Sequence, residues 1–188
     1  MTVTKANADV LDLTDAYAFS GTVTGAGTSG GWEFISETTF SSTASWAYTG
    51  MIAGYDYRVK ILNLLPATDT AVPYFRLGVT GPTYRTSGYI SNTNIGHGQT
   101  TFINILTPSM SNVANEDHSC IAEIMDPVGT NKTLSLGIMY SHDSGSSFYC
   151  AATGGFYNTA ESHTAMQFIL STGAIASGRL VLERRVNT

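Results

Sequence analysis

Short runs of alternating apolar and polar residues follow one another from position 31 to the end of the chain. The clearest run is YDYRVKI at 55–61, in which every second residue is apolar and charged residues lie between them. Alternation with period two places the two kinds of side chain on opposite faces of an extended chain. We therefore predict a half-buried antiparallel strand there, with one face made of Tyr55, Tyr57, Val59 and Ile61 and the other of Asp56, Arg58 and Lys60.

Similar runs recur at intervals of about ten residues, a spacing typical of all-β domains. We predict further strands at 32–35, 45–48, 72–79, 88–91, 100–106, 120–125, 133–140, 147–151, 164–170 and 178–186. Proline and glycine, which favour turns, separate many of these runs, as in the segments 65–69, 81–82, 126–129, 143–145 and 154–155. Many short strands without a helical period indicate an all-β fold, either a β-sandwich or a barrel.

The first thirty residues have a different pattern. They contain one short apolar cluster at Val10, Leu11 and Leu13, a small alternating piece at Tyr17 and Phe19, and the ending GAGTSG. An ending of glycine, threonine and serine is typical of a linker. We therefore divide the chain into an N-terminal arm with its Gly/Thr/Ser linker at 1–30 and a β-sandwich domain at 31–188.

Composition excludes several classes of protein. Charged residues make up 12% of the chain, against about 25% in soluble domains, and the 26 Thr, 19 Ser and 19 Gly disfavour a long helical bundle. The net charge is −5 with scattered basic residues, so we expect no binding to nucleic acid. No segment has the pattern of a signal peptide or a membrane span, so we expect synthesis in the cytoplasm without membrane insertion.

The two cysteines, Cys120 and Cys150, lie in predicted strands and lack the spacing of a zinc or redox site. We expect buried free thiols, with a disulfide between them as the alternative.

The segment 25–30 matches G-x-G-x-x-G, but the strand pattern that follows it does not fit the helix of a dinucleotide site, so we interpret it as a tether.

No motif predicts an enzyme or a cofactor. The four histidines, at positions 97, 118, 142 and 163, lack the spacing of metal ligands, and no G-x-S-x-G sequence presents a serine nucleophile. We therefore expect exposed loop histidines. A glycosidase needs two facing carboxylates, a role left open for four acids, Glu116, Asp117, Glu123 and Glu161.

Aromatic side chains are the better indication of a binding site. Tyr, Phe and Trp total 20 residues, and several lie at or beside predicted turns. Rings at sheet ends can form the apolar wall of a sugar site beside polar groups, although tyrosine is also a common strand residue. The candidate receptor-binding residues are Tyr84, Arg85, Tyr89, His142, Asp143, Tyr149, Phe156 and Tyr157.

Several segments resemble a family of virion proteins of tailed bacteriophages. The run 54–69 is similar to the family's Y-D-x-Y strand followed by a P-x-T/S-D turn, and 72–80 resembles its L-x-x-R-x-S strand. The tripeptide at 87–89 resembles its S-x-Y, 173–182 its closing G-x-I-x-S-G-x-x-x-L strand, and 8–23 the arms that join fibres to the particle.

This resemblance implies a jelly-roll-like antiparallel β-sandwich with an extended N-terminal arm, displayed on tail or head fibres of a virion assembled in the host cytoplasm. It implies a homo-oligomer, often a trimer, that contacts a glycan or protein on the host surface. The arm would anchor the sandwich to another virion protein through Val10, Leu11, Leu13, Tyr17 and Phe19, for example by strand addition.

Three alternatives stay open beside a non-enzymatic attachment fibre. The first is a capsid-decoration or adaptor protein that stabilises the virion. The second is a glycan depolymerase, and the third is a cellular carbohydrate-binding module.

Overall fold

The computed structural model describes residues 31–80, 83–93, 96–104, 109–142 and 147–187, with the side chains at 92–100 and 104 not described. In these segments all regular elements are strands, and no helix is present that could span a membrane. The strands are β1 (Glu33–Thr43), β2 (Ser45–Tyr48), β3 (Tyr55–Pro66), β4 (Pro73–Thr80), β5 (Thr83–Tyr84), β6 (Tyr89–Thr93), β7 (Gly96–Thr100), β8 (Ile103–Asn104), β9 (His118–Met125), β10 (Leu134–His142), β11 (Phe148–Tyr157), β12 (Ala165–Leu170) and β13 (Ile175–Val186).

The strands form two antiparallel sheets that pack as a jelly-roll-like sandwich, as predicted. Over the described residues, the larger sheet has the order β1-β13-β3-β9-β10-β11-β6-β7, and the smaller has the order β2-β12-β4-β5 with β8 also paired to β4. Strands β1 to β4 alternate between the two sheets along the chain, and so do β12 and β13. The connections β1–β2, β2–β3, β3–β4 and β12–β13 therefore join the two layers, whereas β9, β10 and β11 follow one another within the larger sheet.

The core lies between the sheets and is rich in aromatic side chains. In the smaller sheet the ring centroids of Phe75 and Phe168 are 5.6 Å apart, and Phe40 of β1 packs against Phe168 at 6.2 Å. The larger sheet contributes the fully buried Tyr57 and Val59. Such large side chains supply most of the apolar area that a sandwich of this size buries.

The strand predicted at 55–61 is confirmed as part of β3, and its alternation faces the core as expected. Tyr57, Val59 and Ile61 are buried, while Arg58 and Lys60 are only partly buried. Asp56 is an exception because it is buried at 7% exposure. Its carboxylate accepts a hydrogen bond from the backbone N–H of Asp126 and pairs with Arg185, which compensates the burial of its charge.

Most other predicted strands also coincide with observed ones, with differences at their ends. Strand β1 extends eight residues beyond the predicted end at position 35 because its segment ETTFSST pairs along β13. In the segment predicted at 100–106, β8 covers Ile103–Asn104. Strand β7 was not predicted, since its sequence GHGQT has no apolar side chain. The arm at 1–30, with its candidate anchoring residues, lies outside the described residues.

Candidate functional site

Strand β10 presents most of its apolar side chains to solvent, with Met139 as the exception that faces the core. Its sequence LSLGIMYSH alternates exposed and buried from Leu134 to Ser141, with leucine, isoleucine and tyrosine at the exposed positions. Ile121 on β9 lies directly beside Ile138. We call the four exposed aliphatic residues of β9 and β10 the aliphatic stripe: Ile121, Leu134, Leu136 and Ile138.

The inward face of β10 has no room for a side chain at Gly137. A Cβ atom on Gly137 would lie 2.9 Å from the carbonyl oxygen of Ile121 and 3.1 Å from the hydroxyl of Thr153. On neighbouring β11, a Cβ on Gly155 would lie 2.6 Å from the carbonyl oxygen of Ile90. These contacts are too close for an added side chain. The close packing at Gly137 and Gly155 therefore excludes a side chain at these two inward positions, whereas Met139 on the same inner face of β10 is buried in the core.

A buried histidine also stabilises the orientation of β10. The Nε2 atom of His118 lies 2.8 Å from the carbonyl oxygen of Ser111, which can only accept, so Nε2 donates. The Nδ1 atom then accepts from the hydroxyl of Ser141, 2.7 Å away. Burial lowers the pKa of His118, which keeps the ring neutral. Ser141 therefore points inward, and its sequence neighbours on β10 point out.

A groove with a volume of about 370 Å³ opens beside the aliphatic stripe. It is lined by Ile121, Leu136, Gly137 and Ile138, and by the ends of the two charged side chains Arg58 and Glu123. On the other side of β10, Ile138 pairs with Ala152 and Leu136 with Gly154. The stripe is therefore a ridge with a groove on one side and a row of small residues on the other.

Paired charges border the groove on β3 and β13. Glu183 lies 2.6 Å from the guanidinium of Arg58 and 2.7 Å from the ammonium of Lys60. Burial raises the pKa of Glu183, but hydrogen bonds from Lys60 and Arg58 outweigh this effect and hold the pKa below its ordinary value. Arg185 bridges to Asp56 at 3.1 Å and to Glu123 at 3.8 Å. The border therefore carries charges of both signs that are already compensated.

Trp32 marks where the described chain enters the sandwich. The guanidinium carbons of Arg58 and Arg185 lie 4.2 Å and 4.7 Å from the centre of its ring. Such cation–π contacts hold an aromatic ring against a charged surface. The chain that follows the arm is thereby attached to the charged border of the groove.

A cluster of exposed and partly exposed rings lies where β10 ends and β11 begins. Phe148 is 62% exposed and lies 5.9 Å from Tyr140 and 5.7 Å from His142, measured between ring centroids. We call Tyr140, His142 and Phe148 the hairpin-end cluster. The partly exposed Tyr149 follows Phe148 in the same strand. One predicted receptor-binding residue, His142, is thus brought together with two rings outside the predicted set, whereas Tyr149 is paired with the inward-facing Ser141.

Two of the predicted receptor-binding residues are in the core instead, and this part of the prediction is wrong. Tyr89 and Tyr157 are buried, with ring centroids 5.1 Å apart and an edge-on geometry. The hydroxyl of Tyr89 accepts from the backbone N–H of Leu77 and donates to the carbonyl of Arg85. Neither ring offers a face to a receptor, because both are strand residues whose large apolar area is buried in the sandwich.

The other predicted receptor-binding residues lie apart from the hairpin-end cluster, and Phe156 is paired with Leu134 at the other end of the β10–β11 pair. Arg85 forms a two-pronged ion pair with Glu161, whose pKa is lowered by that hydrogen bond. Tyr84 is half-buried in β5, and burial raises its pKa. Phe156 is half-buried in β11, with the ammonium of Lys132 5.5 Å from its ring centre. Asp143 lies outside the described residues.

The prediction of exposed histidines is wrong for two of the four. His118 and His163 are buried, and His142 is half-buried at the end of β10. The ring of His163 packs edge-on against Tyr157 at 4.9 Å, and burial lowers its pKa to about 4. Neither of its ring nitrogens has a hydrogen-bond partner among the described residues. The side chain of His97 lies outside the described residues.

The cysteines are both free, and only one is buried as expected. Cys120 is buried on the inner side of β9, and burial raises the pKa of its thiol to about 12. Cys150 is exposed on β11. It lies opposite Tyr140 in the strand pairing, and Tyr140 is two residues from Ile138 on β10. The exposed thiol therefore lies on the same outer face as the aliphatic stripe.

Among the described side chains, no group of three or more His, Cys, Asp or Glu residues is placed to hold a metal ion. Of the acids left open for hydrolysis, Glu161 pairs with Arg85 and Glu123 lies against Arg185. A scan against protein-family models finds no match, and a search of curated proteins finds no similar sequence. The arguments for function therefore come from the surfaces described above.

Proposed function

We propose that this chain is a non-enzymatic structural protein of a bacteriophage virion, a tail or head fibre protein that displays its sandwich for attachment to the host surface. It acts as a homo-oligomer, a trimer by resemblance, anchored to other virion proteins through the arm at 1–30. Its receptor is a glycan or protein on the host surface, and the chain needs no cofactor.

The observation that supports this proposal is which end of the larger sheet each feature occupies. The register places Glu33, the first residue of β1, in the same row as Ser135 near the start of β10. His142 lies seven residues further along β10, which is roughly 23 Å at about 3.3 Å per residue. The start of β1 and the hairpin-end cluster thus lie toward opposite ends of the sheet. An anchored fibre that displays a binding surface needs this arrangement.

The hairpin-end cluster has suitable chemistry for a weak receptor contact. The rings of Tyr140 and Phe148 present apolar faces, and His142 adds hydrogen-bonding nitrogens at the same place. Small-ligand sites combine such apolar walls with a few polar groups. Several copies on one particle would multiply a weak contact through avidity.

A cell-binding assay tests the attachment function. Fluorescently labelled oligomer is mixed with bacteria that the phage infects, and bound label is compared for the natural chain and for the double variant Tyr140→Ser, Phe148→Ser. We expect the double variant to lose at least tenfold in bound label. The matched control is Val113→Ser, at a residue that is 52% exposed elsewhere. Correctly assembled natural oligomer that leaves the cells unlabelled would overturn the proposal.

The aliphatic stripe favours a second candidate function, that of a capsid-decoration or adaptor protein. Exposed aliphatic surface is suited to packing against protein. Particles that lack the chain would then break more readily on heating or dilution while adsorbing to cells as before. Loss of adsorption with unchanged particle stability would favour the attachment fibre instead.

A further inference from the structure

The aliphatic stripe lies at an unusual place for exposed apolar residues. Its four side chains are 44% to 65% exposed, and they lie on β9 and β10, in the middle of the larger sheet rather than at an edge. Together the exposed fractions equal about two complete aliphatic side chains, or on the order of 200 Å² of apolar surface. The largest apolar patch on a monomeric protein typically measures about 300–600 Å² and is often a functional site.

The chemistry of the stripe favours protein as the occupant. Leucine and isoleucine have no aromatic face on which a sugar ring could stack, in contrast to the hairpin-end cluster. An anionic membrane surface would need an excess of lysine and arginine around the apolar residues. The border has equal numbers of acids and bases: Asp56, Glu123, Glu183, Arg58, Lys60 and Arg185.

The same border favours a second copy of this chain among protein partners. Because its charges are paired with one another, the border has no net charge to attract a strongly acidic or basic protein. A second copy has an equally balanced border. A standard interface covers about 800 Å² on each partner, with an apolar core and a polar rim. The stripe provides such a core, and the paired charges provide such a rim.

The outer surface of β9 to β11 has a ridge beside a groove. Leu136 and Ile138 form a ridge, and the adjacent groove of about 370 Å³ has an apolar floor that includes Ile121. On the far side of the ridge, Gly154 and Ala152 leave a shallow trough. A ridge beside a groove suits a heterologous contact, in which the ridge of one copy packs into the groove of the next and a rotation can close the ring.

We infer that the aliphatic stripe is the surface through which copies of this chain pack against each other. The inference rests on the homo-oligomer in the proposed function and assigns its interface to the outer face of β9 and β10. Of the hairpin-end cluster, Tyr140 lies directly opposite Cys150 and borders this face, whereas His142 and Phe148 lie two residues further toward the end of the strands and stay accessible to a receptor.

Two variants of the full chain test the inference by light scattering coupled to size exclusion. The natural chain is expected at about three times its 20.0 kDa mass, whereas Ile138→Asp is expected as a folded monomer. The control is Val113→Asp, at a residue of comparable exposure outside the stripe, which keeps the natural mass. Circular dichroism checks that Ile138→Asp remains folded, and Leu136→Asp replaces it if it does not.

Thiol labelling reports on the same face without relying on mass. Cys150 is exposed in the single chain and Cys120 is buried. A thiol-reactive dye should modify neither cysteine in the natural oligomer, one in Ile138→Asp, and two after unfolding in urea. Cys150 labelled at the same rate in the natural oligomer and in Ile138→Asp would show that another face forms the interface.

The outcomes separate this inference from the proposed function. A dimer with protected Cys150 supports the interface and corrects only the copy number. A natural chain that is monomeric, or an Ile138→Asp oligomer of unchanged mass, overturns the inference, and a monomer that binds another virion protein through the stripe does the same. An intact oligomer that fails to bind cells overturns the attachment function and leaves the interface standing.

Discussion

Acidification from pH 6.5 to 4 should destabilise this protein through the buried ring of His163. The imidazole has no exposed surface and packs edge-on against Tyr157. Burial lowers its pKa from 6.5 to about 4, and nearby Glu161 opposes the shift only in part. The folded state therefore holds the ring in its neutral form, while the unfolded chain protonates it in mildly acidic solution.

The size of the effect follows from the two pKa values. The folded state binds this proton more weakly, so the stabilisation is complete above pH 6.5 and is lost as the pH falls toward 4. At about 1.4 kcal/mol for each pKa unit, the loss is roughly 3 kcal/mol. This is a large share of the 5–15 kcal/mol that stabilises a typical domain.

Other titrating groups can be separated from His163. The pKa of His118 is also lowered by burial, so this residue contributes a loss of the same sign. Glu161 and Glu183 have lowered pKa values, and their stabilisation is lost only below their ordinary value of 4.5. Between pH 6.5 and 5 the two buried histidines therefore dominate the slope.

The assay is urea unfolding monitored by tryptophan fluorescence at pH 7, 6, 5 and 4.5, with the natural chain and His163→Leu. Leucine has a similar volume and no titrating group, so the variant should lose most of the His163 share of the pH dependence. The control Gln167→Leu changes a half-buried polar residue on β12 and should keep the natural slope. Identical slopes for His163→Leu and the natural chain would refute the reasoning.

Three further outcomes are expected. Gly155→Ala should lower the free energy of unfolding by about 1–3 kcal/mol, because its new Cβ would lie 2.6 Å from a backbone oxygen. The control in the same urea titration is Gly31→Ala, because Gly31 has open space around it. Tyr89→Phe should lower the free energy of unfolding by about 1–2 kcal/mol, because two hydrogen bonds are lost. The folded variant should label host cells like the natural chain, and reduced labelling would indicate that Tyr89 contributes to the receptor site. Ser141→Ala should cost about 1–3 kcal/mol because it removes a partner of the buried His118 ring, and an unchanged unfolding midpoint would contradict that role.

Strand β3 shows what a local sequence pattern can and cannot predict. Its alternation predicted both the strand and the buried face, and Tyr57, Val59 and Ile61 are indeed buried. The pattern also placed Asp56 outside, whereas the structure buries it beside Asp126 and Arg185. Those partners lie 70 and 129 residues away along the chain. Contacts over such separations leave no trace in a short window of sequence.

The candidate site was less predictable than the strands. Aromatic residues near turns were an incomplete guide, because Tyr157 ends a strand and still lies in the core. The signal that could have found Phe148 was its place at a strand end beside a predicted turn. The signal for the aliphatic stripe was hidden, since the alternation of Leu134, Leu136 and Ile138 is the same as that of a buried face.

The sequence by itself determined the class of fold, because period two and the turn residues act over neighbouring positions. It could not determine which face of β10 is covered, since alternation defines two faces without saying where the second sheet lies. Only the tertiary structure decided this point. The tight inner side at Gly137 and the buried pair of His118 and Ser141 leave the aliphatic residues outside. The same packing places Cys120 inside and Cys150 on the outer face.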